Sequence, residues 1–148
     1  MRSPVRSLAV PTAAVAAAVL LAGCASTPAE ELEDWWSSGG STSMKALSDT
    51  SGRVSEVSGR PADIWGPACQ ELLTAVAKAK KLDTIPSENA RGFWTEALTA
   101  FEDGGKECVA GTGTKDEARA GAGIREVQTG LSRLAAAMSL IRKDLEAK

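Results

Sequence analysis

The chain contains no histidine and no tyrosine among its 148 residues. Without histidine, no Ser-His or Cys-His nucleophile can be assembled, and the commonest metal ligand is missing. Neither sign of charge dominates: Lys and Arg number 17 against 19 for Asp and Glu, so no general attraction to nucleic acid follows. The length allows one ordinary domain and excludes a two-lobed solute receptor or a large catalytic barrel.

Catalytic signatures are equally scarce. The sequence holds no Ser-x-x-Lys, no Gly-x-Ser-x-Gly and no calcium loop of alternating acids. Gly111-Thr-Gly-Thr-Lys115 lacks the spacing of a phosphate-binding loop and follows no strand, so it reads as a flexible turn. Acidic neighbours such as Glu102 and Asp103 read as solvated helix faces. Arg119, Arg125, Arg133, Arg142 and Lys143 are scattered around one helix and do not form a basic stripe. The expectation is a protein that is not an enzyme, with no cofactor and no metal site.

What is present begins with an address. Residues 1–23 contain Arg2 and Arg6, no acid, and an apolar run from Leu8 to Ala22. That run is short for a bilayer-spanning helix, which needs about 20 apolar residues, but suits a secretory signal. It ends in Leu21-Ala22-Gly23-Cys24, which resembles the lipobox of bacterial prolipoproteins at all four positions. The resemblance implies cleavage before Cys24, acylation of its thiol, and a mature protein held on the extracytoplasmic face of the cell membrane. In a Gram-negative cell the outer membrane is the alternative. The mature chain would carry 15 basic and 19 acidic side chains, a balance that leaves anchoring to the acyl chains alone.

Residues 24–42 are rich in Ser, Thr, Pro, Gly and acid, and read as an acylated Cys followed by a flexible acidic linker. Within it, Trp35 and Trp36 either dock on the protein's own domain or anchor a partner.

From residue 43 to 148 the pattern is helical, with no convincing alternating strand. Met44, Leu47, Ser51, Val54 and Ser58 recur at steps of 3 and 4, ending at Gly59. Gly66-Pro67 is expected to separate a short turn from a second helix bearing Cys69, Leu72, Val76 and Ala79. A turn at 83–87 precedes a third helix with Ala90, Phe93, Trp94, Ala97, Leu98 and Phe101 on one face. Gly104-Gly105 should weaken this helix, and residues 111–113 should break it. Thr114 and Glu117 have capping-box spacing before a fourth helix, whose Ile124, Val127, Leu131, Leu134, Met138, Ile141 and Leu145 form an unbroken seam.

Four helices with short connections predict an all-α, up-down four-helix bundle. Leu, Ile, Val and Phe number only 21 of the 125 residues after position 23, with 19 Ala beside them, so a staple would help a core this thin. In an exported protein Cys69 and Cys108 should be oxidised, and a hairpin turning at 83–87 brings them level. The loop they close spans 39 residues in sequence, for which the chain-entropy account gives about 4 kcal/mol.

The functional expectation is a non-catalytic accessory or adaptor module that binds a protein partner at the membrane and no nucleic acid. The alternative is a carrier holding a small apolar or amphiphilic ligand near Trp65, Phe93, Trp94 and Phe101. A carrier needs an enclosed apolar cavity, an adaptor an exposed patch on a filled bundle, and a hydrolase would need a convergent buried acid pair.

Overall fold

The computed structural model describes residues 26–147. The expected signal segment 1–23 and Cys24 of the expected lipobox lie outside them. The described residues are all-helical, and their body is a four-helix bundle. In order come α1 (Pro28–Trp35), a π-helical segment (Trp36–Gly40), α2 (Ser41–Val57), a 3₁₀ turn (Ala62–Ile64), α3 (Trp65–Ala79), α4 (Glu88–Thr114) and α5 (Glu117–Glu146). Helices α2 to α5 run up and down, each packed on its sequence neighbour, and α2 returns to α5 to close the ring.

The core follows the 3-4 stripes. Met44, Leu47 and Val54 from α2, Cys69 and Leu72 from α3, Phe101 and Cys108 from α4, and Val127 and Ile141 from α5 are wholly buried. On α5 the seam divides: Ile124, Val127, Leu134 and Ile141 are core, while Leu131, Met138 and Leu145 are partly buried along its edge. Ser51, a polar residue inside the α2 stripe, is buried because its hydroxyl donates to the Leu47 carbonyl at 2.7 Å.

Contrary to the expected break, α4 runs unbroken through Gly104, Gly105 and residues 111–113. Gly104 and Gly111 lie where α4 meets α5, Gly105 lies against Leu73 of α3, and Gly113 faces open space. A β-carbon on Gly104 would stand 2.6 Å from the Gly123 carbonyl oxygen and 2.8 Å from the Val127 amide nitrogen. The same positions of Gly123 and Gly111 are filled by the backbone of the facing helix. Close approach of two long helices therefore outweighs a propensity cost of about 1 kcal/mol per glycine. Facing pairs keep one register along the whole hairpin: Gly111 with Ala120, Cys108 with Gly123, Phe101 with Gly130.

The cap also differs from expectation. Lys115 adopts a left-handed conformation at φ 59°, and Asp116, not Thr114, caps α5 by accepting from the Arg119 amide at 2.9 Å. The Thr114 hydroxyl instead donates back to the Ala110 carbonyl at 3.0 Å, which leaves it inside α4. Likewise α3 starts at Trp65, so Gly66 and Pro67 fall in its first turn, where proline forfeits no helical bond.

The larger correction concerns the expected linker. Residues 28–42 are not a flexible tether: α1 and the π segment lead without interruption into α2. Their start is specified by Thr27-Pro28-Ala29-Glu30. The Thr27 side chain accepts from the Glu30 amide, the Glu30 carboxylate accepts from the Thr27 amide at 2.8 Å, and Pro28 takes the first helical position. Gly39, at φ 149°, makes the kink between α1 and α2, a conformation that favours glycine.

Candidate functional site

Two ends and one flank of the bundle offer surfaces that could recognise something. At the first end, the α3–α4 connection, the start of α4 and the C-terminus of α5 meet, and α1 lies across them. Leu32 and Trp35 are its buried residues. The Trp35 indole N–H donates to the Asp83 carbonyl at 2.9 Å, and its ring meets Trp94 edge-on with centroids 6.0 Å apart at 85°. Gly40 lies against the Trp35 ring, leaving no room for a β-carbon. Trp35 thus docks on the protein's own domain, whereas Trp36, one residue on, is only partly buried.

Beneath the start of α1 lies an open cleft of about 700 Å³, lined by Pro28, Leu32, Pro86, Ser87 and Asp144 among others. Ser87 is doubly used there. Its hydroxyl accepts from the Ala90 amide at 3.1 Å as the cap of α4, and donates to the Asp144 carboxylate at 2.6 Å, tying α4 to α5.

On the flank beside this end, Trp36, Met138 and Leu145 surround a smaller recess of about 270 Å³, with Arg142 in its lining.

The opposite end is built by the 3₁₀ turn, the end of α4 and the start of α5. Ala62, Asp63, Gly111, Thr112, Lys115 and Ala120 line an open recess of about 420 Å³ there. Ile64, on the same 3₁₀ turn, is 41% exposed, the only large apolar side chain so exposed among the described residues. Its neighbour Trp65 is buried, with its indole N–H donating to the Arg60 carbonyl at 2.9 Å. This end was not singled out in the sequence, because one apolar residue in a turn has no periodicity to betray it.

The aromatics expected to line a carrier cavity do not share one. Trp65 belongs to one end, where its neighbour Gly66 lies against Thr112, and Trp94 to the other, separated along α4 by about 27 Å of helix at 1.5 Å per residue. Phe101 is wholly buried in the core, and Phe93 is partly buried on the flank, with the Arg133 guanidinium 6.0 Å from its ring centroid.

Cys69 and Cys108 are joined in a disulfide, with Cα atoms 6.2 Å apart and both side chains wholly buried between α3 and α4.

Charged groups with displaced titration sit in surface ion pairs. Glu102 accepts from Lys106 at 2.7 Å and also pairs with Lys80 across from α3. Hydrogen bonds from these two ammonium groups, Lys106 first, lower its carboxyl from 4.5 to about 2. Arg119 grips Glu107 through both carboxylate oxygens at 2.6 and 3.1 Å, and holds that carboxyl below its ordinary value. Such pairs stitch neighbouring helices but add little stability each.

Among the described residues, no group of three His, Cys, Asp or Glu side chains could hold a metal ion, and no helix is long and apolar enough to cross a membrane. No protein-family model, curated protein or solved structure matches the chain.

Proposed function

We propose that this protein is an exported lipoprotein, anchored by acylated Cys24 on the extracytoplasmic face of the membrane, and that it works there as a non-catalytic accessory or adaptor module for a protein partner. The anchoring half of the reading rests on Leu21-Ala22-Gly23-Cys24 after an apolar, acid-free leader. A buried disulfide between α3 and α4 is in keeping with an oxidising compartment.

The observation that carries the adaptor half is the filled bundle. Phe101, Leu72, Met44, Leu134 and Ile141 occupy the space between the helices, and the aromatics that a carrier would array around a ligand are distributed over both ends and the core. The recesses are open clefts at the surface. Ile64 beside the cleft of Ala62, Gly111 and Lys115 is the surface best suited to a partner, because it combines an exposed apolar side chain with a concavity.

The test has two arms. Mass spectrometry of the N-terminal peptide from membranes should show a diacylglyceryl adduct on Cys24; an unmodified thiol defeats the anchoring. A photo-reactive amino acid at position 64 should capture one protein reproducibly in intact cells, and capture should weaken at least tenfold when the neighbouring Ala62 is replaced by Glu. Capture of lipid alone, or of a mixture indifferent to Ala62→Glu, defeats the adaptor reading.

A further inference from the structure

Helix α1 is docked on the bundle through Leu32 and Trp35 and is folded back to its first residues, which limits how far any anchor upstream can stand from it. The Ser26 hydroxyl donates to the Glu31 carboxylate at 2.9 Å, and Thr27 caps the helix. Only Ala25 separates Ser26 from Cys24. With consecutive Cα atoms about 3.8 Å apart, the Cys24 Cα lies within about 7.6 Å of the Ser26 Cα. A lipid on Cys24 would therefore hold this end of the bundle directly at the bilayer surface, with no slack to spare.

The flank beside that end carries suitable chemistry. Trp36, Met138 and Leu145 are partly buried around their recess, and Arg142, exposed, lies among them in the last turns of α5. A half-covered indole beside a guanidinium matches the headgroup layer of a membrane. There the ring finds both apolar and wet surroundings, and the long Arg stem lies along apolar surface while its head reaches phosphate.

We infer that the bundle is seated on the bilayer by its α1 end, with Trp36, Met138 and Leu145 in the headgroup layer and Arg142 on lipid phosphates. This rests on the acylation of Cys24 proposed above. The occupant of the patch is a zwitterionic lipid surface: Glu31, Asp34, Glu88, Asp144 and Glu146 outnumber Arg91, Arg142 and Lys143 on the same end and disfavour anionic headgroups. The bundle then stands away from the membrane, and Ile64 is presented about 40 Å along the helices on the far side.

The experiment places the mature acylated chain on phosphatidylcholine vesicles in which some lipids carry a nitroxide on the choline headgroup. Tryptophan emission should be quenched. Trp36→Phe should lose the larger part of that quenching while still floating with the vesicles, and Ile64→Trp should add emission that the nitroxide leaves untouched. Quenching unchanged by Trp36→Phe, or strong quenching of the added indole in Ile64→Trp, overturns the seat. So does quenching that fades with rising protein concentration as dimers form, which would assign the patch to a second copy. Flotation without any quenching rejects the seat and leaves the anchor standing. A chain with neither an acyl group nor flotation removes the anchor, and the seat with it.

Discussion

Trp35 and Asp83 stand 48 positions apart in sequence and are joined by one hydrogen bond, indole N–H to backbone carbonyl, at 2.9 Å. That bond fastens the first helix to the connection between α3 and α4, and with the edge-on contact to Trp94 it turns an acidic, serine-rich stretch into part of the folded body.

Removing this anchor should free the strap. Trp35→Ala is expected to lower stability by about 3 kcal/mol in denaturant titration, the cost of emptying an aromatic site in a core. Trp35→Phe keeps the ring but loses the bond and should cost about 1 kcal/mol beyond the packing change. Hydrogen exchange in residues 28–40 should accelerate in Trp35→Ala; protection equal to wild type would mean that α1 holds by other contacts.

Reducing the Cys69–Cys108 disulfide should be difficult in the native state, because both sulfurs are buried. Once Cys69→Ser and Cys108→Ser are introduced together, the loss is expected near 4 kcal/mol by the chain-entropy account. Thermal unfolding of the pair variant gives the number directly, and an unchanged midpoint would show that the closed loop is already ordered in the unfolded chain.

Two glycine-to-alanine changes should have opposite signs. At Gly123 the added carbon meets the Gly104 carbonyl oxygen and the Cys108 amide nitrogen, backbone atoms that cannot swing away, so Gly123→Ala should destabilise by about 1–3 kcal/mol. Gly52 lies mid-helix in α2 with open space around it, and Gly52→Ala should stabilise by up to about 1 kcal/mol. Equal effects at the two sites would contradict the close approach of α4 and α5.

Glu102 makes the stability pH-dependent in a defined window. Its folded carboxyl titrates near 2, well below the ordinary 4.5, so its contribution is complete above the ordinary value. That contribution is lost as the pH falls from 4.5 towards 2. Glu102→Gln should therefore be less stable than wild type at neutral pH, with the difference shrinking through that acid range. A gap that stays constant to pH 2 would show that the pairs with Lys80 and Lys106 contribute nothing net.

How much of this was written legibly in the chain depends on whether the signal was local. The stripes of α2, α3 and α5 can be read because apolar residues at steps of 3 and 4 have few other uses. The disulfide follows from counting outward from the turn at 83–87. Gly111 misleads because its backbone cost is visible locally, while the facing Ala120 that makes glycine necessary there lies across an interface. Thr114 has the capping-box spacing, but the left-handed Lys115, which no local pattern announces, gives the cap to Asp116.

The linker misleads by composition. Its start signal, Thr27 with Pro28 and Glu30, and its two core residues, Leu32 and Trp35, are few among the polar ones. As for the site, aromatic residues were grouped by chemistry, and the fold scattered them by position. Ile64 and Trp36, the residues left at the surface, differ from buried neighbours such as Trp65 and Trp35 only through tertiary placement.

The seat of α1 also orders events in time. Of the described helices ribosomes deliver this one first, yet Asp83, Trp94 and Asp144, which build its resting place, belong to segments made later. Its docking must therefore wait until nearly the last of the described residues has arrived. During that interval α1 is not yet held against Asp83 and Trp94.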